Sequence, residues 1–157
     1  MLYLKQILMF CFDSSRKGKK DMLHGDTTDK IIRAFFRVHR SLGSGCAGAV
    51  YEDAMTDEME KSGLKVEPTS RMRLQDASAG PESRIDSTGV FADFFVDGRV
   101  IVELRAAQAV SEDHETRLID RLANSDVEVG LLMNFGKKPE FRRKLFQNPL
   151  KSRRDAA

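Results

Sequence analysis

Residues 92–105, ADFFVDGRVIVELR, read as two β-rich runs joined by Asp97-Gly98, and their register decides which side chains share a face. A two-residue turn at Asp97-Gly98 pairs Val96 with Arg99 and puts Asp93 and Glu103 on opposite faces, burying a carboxylate in each. A three-residue loop of Asp97, Gly98 and Arg99, with Gly98 or its neighbour left-handed, pairs Val96 with Val100 and Asp93 with Glu103. In that register Ala92, Phe94, Val96, Val100, Val102 and Leu104 form one apolar face. Asp93, Glu103 and Arg105 then stand on the other, among Phe91, Phe95 and Ile101. The second register is preferred because it gathers the polar groups in one place and leaves a clean core face.

Working outward toward the N-terminus, residues 64–67 and 72–75 read as short strands, and the Ser, Ala, Gly and Pro-rich stretch 76–86 reads as an exposed loop. Before them, Asp26 or Thr27 is expected to cap a helix. Its apolar positions Ile31, Ile32, Phe35, Phe36, Val38 and Leu42 recur at helical spacing with His39 on their edge, and Gly43 and Gly45 end it. A second helix is expected over 47–61, with Val50, Ala54, Met55 and Met59 along one side and Gly63 at its close. Toward the C-terminus, Ser111 caps a helix to about Asn124 carrying Leu118, Ile119 and Leu122, and residues 127–135 (VEVGLLMNF) read as a buried strand. Residues 139–146 are expected to form a basic helix, with Phe141, Leu145 and Phe146 docked on the sheet. This order gives one α/β domain, a mixed central β-sheet flanked by helices.

Composition agrees. A chain of 157 residues with 41% hydrophobic and 32% charged residues has the balance of one globular domain. The formal charge of +2 does not by itself demand a polyanionic partner. Basic residues nevertheless gather at the ends, over 16–20 and 137–154, while Glu52, Asp53, Asp57, Glu58 and Glu60 make one early stretch acidic. Cys11 and Cys46 have neither the number nor the spacing of a disulfide framework or a zinc knuckle, so a cytoplasmic setting is expected. The apolar segment 2–12 is interrupted by Lys5 and Gln6 and falls short of the roughly 20 residues of a membrane span.

Two carboxylates facing each other across antiparallel strands have β-carbons about 5 Å apart, and something positive must stand between them. One answer is a divalent cation: hard carboxylate oxygens suit Mg²⁺, which links one or two acids to a substrate phosphate. The other is Arg105, two residues after Glu103 on the same face, forking across the acids as a structural ion pair. Spacing alone leaves both open.

The whole pattern resembles the small proteins named for a GxxExxY motif, within the PD-(D/E)XK nuclease-like superfamily. The resemblance rests on DKII at the start of the first helix, VHRSLGSG, VYEDA, the ADFFV-DGRVIVEL hairpin, HETRLIDRL and VGLLMNFG, in this order over residues 22–146. It implies a restriction-endonuclease-like core and Mg²⁺-dependent cleavage of phosphodiesters in nucleic acid. By this resemblance the metal-binding Asp falls on Asp93, the acid of the E-x-K element on Glu103, and its Lys on Arg105. Residues 1–21 lie outside it, as an extension or a start assigned upstream of Met22, and residues 147–157 form a basic tail.

The departures fall on the site. Arginine can stabilise negative charge but cannot act as a base in place of lysine. The helical Glu of the motif should follow Gly45 by three residues, and Gly48 stands there, while Tyr51 completes the motif; Glu52 is a possible substitute carboxylate. Where the family has a Gln and, four residues later, a Tyr, this chain has Arg117 and Arg121. Those two can grip a phosphate backbone, or they face solvent or pair with Glu112, Asp113, Asp120 or Asp126. Lys137 and Lys138 open the basic C-terminal segment and can rest on nucleic-acid phosphates. His39 reads as a hydrogen-bonded core residue, and His24 and His114 have no partners at ligand spacing. The expectation is a nuclease fold with a degenerate centre at Asp93, Glu103 and Arg105. It is either a weakened Mg²⁺-dependent phosphodiesterase or a non-catalytic module that binds nucleic acid or protein, and restoring Gly48→Glu with Arg105→Lys is expected to raise metal affinity.

Overall fold

The computed structural model describes residues 23–68 and 90–147, with 90–93 as strand backbone. Helix α1 (Gly25–Leu42) buries Thr28, Ile31, Ala34, Phe35 and Val38 along one stripe. It begins ahead of the expected caps, with His24 in the left-handed region at φ 56°. The buried Thr28 hydroxyl donates to the Gly25 carbonyl at 3.0 Å, so Asp26 and Thr27 fall inside the first turn, where Asp26 meets the positive end of the helix dipole. Gly43, at φ 68°, ends the helix and donates to the His39 carbonyl.

Helix α2 (Gly48–Lys61) buries Tyr51, Met55 and Met59, each four residues after the last. Val50, expected on that side, is exposed. Gly63, at φ 80°, turns the chain and lets the Leu64 N–H reach the Met59 carbonyl at 3.1 Å.

Five strands follow in the order β1-β2-β3-β4-β5 across one sheet. They are β1 (Val66–Pro68), β2 (Val90–Val96), β3 (Val100–Arg105), β4 (Val129–Phe135) and β5 (Pro139–Leu145). β3 and β4 are parallel, and the other neighbours are antiparallel. The hairpin adopts the three-residue loop: Val96 pairs with Val100 and Asp93 with Glu103. Asp97 and Gly98 are both left-handed, at φ 52° and 66°. A non-glycine residue resists that conformation, but here the Asp97 carboxylate accepts the Lys65 N–H at 2.8 Å and the Thr27 hydroxyl at 3.5 Å, tying the turn to the chain before β1 and to α1. The strand expected at 72–75 and the loop expected at 76–86 lie outside the described residues.

The pleat sorts the core into two layers. α1 and α2 pack on Phe94, Val96, Val100, Val102, Leu104, Val129, Leu131, Met133 and Phe135. Helix α3 (Glu112–Ala123) places Leu118 and Leu122 on Ile101, Val127 and Leu132 across the opposite face. Gly130 makes that close approach possible, since a Cβ there would stand 2.7 Å from Leu118 Cδ1. Ser111 caps α3 as expected, its hydroxyl accepting the His114 N–H at 3.4 Å while His114 Nδ1 accepts the Ser111 N–H at 3.1 Å.

The C-terminal basic segment is a strand, not the expected helix. β5 pairs with β4 from Phe135↔Pro139 to Val129↔Leu145 around a turn of Gly136, Lys137 and Lys138. Lys and Arg favour helices, yet Phe141, Arg143 and Leu145 also alternate, and an open edge of β4 supplies a ladder of backbone partners. Pro139 takes the first position, where a missing N–H is tolerated. Phe141 and Leu145 pack on the α1 side and Phe146 on the α3 side.

Candidate functional site

β3 delivers Glu103 and Arg105 to the α3 face, both only 1% exposed. Asp93 stands opposite Glu103 in the ladder; its side chain lies outside the described residues. Glu103 is held between two guanidinium groups. Arg105 Nη2 is 3.3 Å from Oε2, and Arg121 Nη1, reaching down from α3, is 3.1 Å from Oε1. Arg121 thus reaches a strand carboxylate that its position on the helix had not suggested. Its side chain remains 26% exposed, so the cluster opens toward solvent on that side.

Asn134, which sequence reasoning missed, completes the floor. It lies next to Arg105 in the parallel β3/β4 register and is fully buried. Its side-chain amide donates to the Ala107 carbonyl at 2.9 Å and its oxygen accepts the Ala107 N–H at 2.8 Å, fixing the chain as it leaves β3 for α3. The available signal was one amide inside the apolar run VGLLMNF, since a buried amide requires partners. The cluster thus sits at the carboxyl end of the parallel pair, where open α/β sheets receive ligands.

His114 is pushed below its ordinary value by burial and then by Arg105 and Arg117, with Asp113 acting in the opposite sense. Because Nδ1 accepts a hydrogen bond, the neutral ring carries its proton on Nε2. Arg117 is exposed on α3, one turn before Arg121. Lys137 and Lys138 are exposed on the β4–β5 turn. That turn is fixed on one side by His39 Nε2 donating to the Gly136 carbonyl at 2.8 Å, which bears out His39 as a hydrogen-bonded residue. On its other side Gly136 passes so close to Ala107 that a Cβ would meet its carbonyl oxygen at 2.9 Å.

The remaining motif residues serve the opposite layer. The Tyr51 hydroxyl donates to the Gly43 carbonyl at 2.6 Å and accepts the Cys46 N–H at 3.2 Å, and its ring stacks on Phe135 with centroids 4.1 Å apart. It latches the α1–α2 connection, and burial raises its pKa. Gly48 opens α2, and Glu52 lines an acidic groove with Asp53, Asp57 and Glu60 beside Phe94. Both belong to the helix packed on the other face from Glu103.

By the resemblance, Asp93 and Glu103 would hold a Mg²⁺ ion. The described part of that donor set does not fit the ion: each Glu103 oxygen already faces a guanidinium, and Gly48 stands where the resemblance places the helix acid. No three His, Cys, Asp or Glu side chains converge among the described residues. Among the described residues, the arrangement offers a buried carboxylate held by two guanidinium groups, with Arg121 reaching solvent and able to meet a phosphate oxygen.

A family model described as the PD-(D/E)XK nuclease superfamily matches residues 25–144. No curated protein and no solved structure gives a significant match. No helix among the described residues is long and apolar enough to cross a membrane.

Proposed function

The chain belongs to the PD-(D/E)XK nuclease superfamily, and from that premise we propose that it binds the phosphate backbone of nucleic acid on the nuclease frame without metal-dependent cleavage. The observation that carries this reading is the seating of Glu103 between Arg105 and Arg121. A carboxylate held by two arginines has little to offer a cation, and Arg121, already ordered and partly exposed, is poised for an anion at small entropic cost. Arg117 and Arg121 supply the phosphate contacts at the centre, and Lys137 and Lys138 extend them at the carboxyl end of the sheet. A cytoplasmic setting, expected from cysteine usage, is part of this reading.

A second reading, Mg²⁺-dependent phosphodiester hydrolysis, is favoured by the facing of Asp93 and Glu103. It requires Glu103 to leave its arginines for the ion. Calorimetric titration of Mg²⁺ and Mn²⁺ into the wild type and Asp93→Asn, with plasmid and single-strand cleavage assays on the same preparations, decides between the two. The proposal expects no saturable heat and intact nucleic acid. Metal binding lost in Asp93→Asn, together with cleavage, would replace it with the second reading.

A further inference from the structure

On the face away from Glu103, α1 and β5 lie side by side, and contacts at three levels fix their alignment. His39 meets Gly136 at 2.8 Å, the Phe36 and Phe141 rings meet edge to face with centroids 6.0 Å apart, and Arg143 donates to the Leu23 carbonyl at 2.7 Å. Phe36 is midway along this seam and stays 39% exposed. Exposed cations surround it: Arg33 three residues before, Arg40 four residues after, and Lys137 and Lys138 on the turn beside the Arg40 end. Arg33 and Arg40 are two helical turns apart, about 10 Å.

Among the described residues, acids meet this strip only at its N-terminal end. Asp26 and Asp29 stand near the start of α1, Asp29 one turn before Arg33 and two before Phe36, so the Arg40, Lys137 and Lys138 end is the more cationic. Glu140 of β5 turns toward the α3 side, where its carboxylate accepts the Val110 N–H at 3.2 Å. Arg37, on the far flank of the helix, is engaged by Glu58 at 3.6 Å.

We propose that this strip is a platform for single-stranded nucleic acid, with Phe36 stacking one base and Arg33, Arg40, Lys137 and Lys138 holding the flanking phosphates. Charge alone would suit any polyanion. The exposed ring selects among them, because a single strand presents an unpaired π-face beside each phosphate, whereas a duplex hides its bases and an acidic peptide has no matching plane. The platform rests on the nucleic-acid reading for its occupant but lies on the other layer from the arginine centre.

Fluorescence anisotropy of a labelled oligothymidylate with the full chain tests it, comparing wild type, Phe36→Ala, Phe36→Trp, Lys137→Glu with Lys138→Glu, and Arg117→Glu. Phe36→Ala is expected to weaken binding roughly tenfold and Phe36→Trp to restore it. The lysine pair, on an exposed turn and harmless to the fold, is expected to weaken binding and flatten its salt dependence. Polyglutamate of matched charge should compete poorly. The platform is overturned if Phe36→Ala and the lysine pair both bind as wild type, or if polyglutamate competes equally and Phe36→Ala has no effect, which would mark a surface for acidic protein. Because Lys137 and Lys138 serve both surfaces, Phe36 separates them: loss in Arg117→Glu with none in Phe36→Ala leaves the centre standing and removes the platform, and the converse removes the centre and keeps the platform.

Discussion

Glu103 separates two accounts of the same residue. A carboxylate kept for a metal is strained in the metal-free protein by its facing acid, and replacing it relieves repulsion. A carboxylate that holds Arg105 and Arg121 stabilises the fold, and removing its charge weakens the compensation of a buried guanidinium. Glu103→Gln is therefore expected to lower unfolding free energy by about 3 kcal/mol, measured by urea denaturation; an unchanged or raised midpoint would count against the ion-pair role. His114 gives a second test. Its folded pKa lies below the ordinary 6.5, so the unfolded chain takes up the proton first. The stability it contributes is complete above pH 6.5 and is lost as pH falls through that value toward the folded one. His114→Gln retains an acceptor for the Ser111 N–H and should flatten this part of the stability–pH profile, with thermal unfolding as the measurement.

Among the elements, α3 depends on the absence of a side chain at Gly130. The whole isobutyl group of Leu118, which is fully buried, lies over that glycine. Gly130→Ala should cost about 1–3 kcal/mol by overpacking, seen as a lower melting temperature, with Arg121 drawn away from Glu103 as α3 lifts. Elements were legible in the sequence where periodicity had one interpretation: α1, α2 and α3 by their apolar stripes, and the β2/β3 register by the polar sorting that only the odd-length loop permits. β5 was not. Seven residues with Phe141 and Leu145 four apart satisfy both a helical and an alternating pattern, and the deciding factor, the open edge of β4, is a tertiary fact. The start of α1 was misplaced for a related reason, since the buried Thr28 hydroxyl turns back on Gly25 and no local rule anticipates it.

At the scale of the whole molecule, the superfamily's fold is kept, while Gly48 and Arg105 stand where the resemblance places a Glu and a Lys. Asp93 and Glu103 face each other in the ladder as the sequence indicated, because register is written in the hairpin's apolar alternation. The partner of Glu103 was only half legible. Arg105 was in view two residues away, but Arg121 lies on another element, and its reach to Glu103 depends on how α3 crosses the sheet. On the proposed function Arg117 and Arg121 hold a nucleic-acid backbone without a metal ion, and oligonucleotide binding measured by anisotropy, first in EDTA and then in excess Mg²⁺, across a salt series, tests this. Binding in EDTA that Mg²⁺ does not strengthen is expected, with a steep loss with salt, weaker binding by Arg117→Glu and an oligonucleotide recovered intact. Binding that appears only with Mg²⁺, or an oligonucleotide cut in its presence, would contradict it.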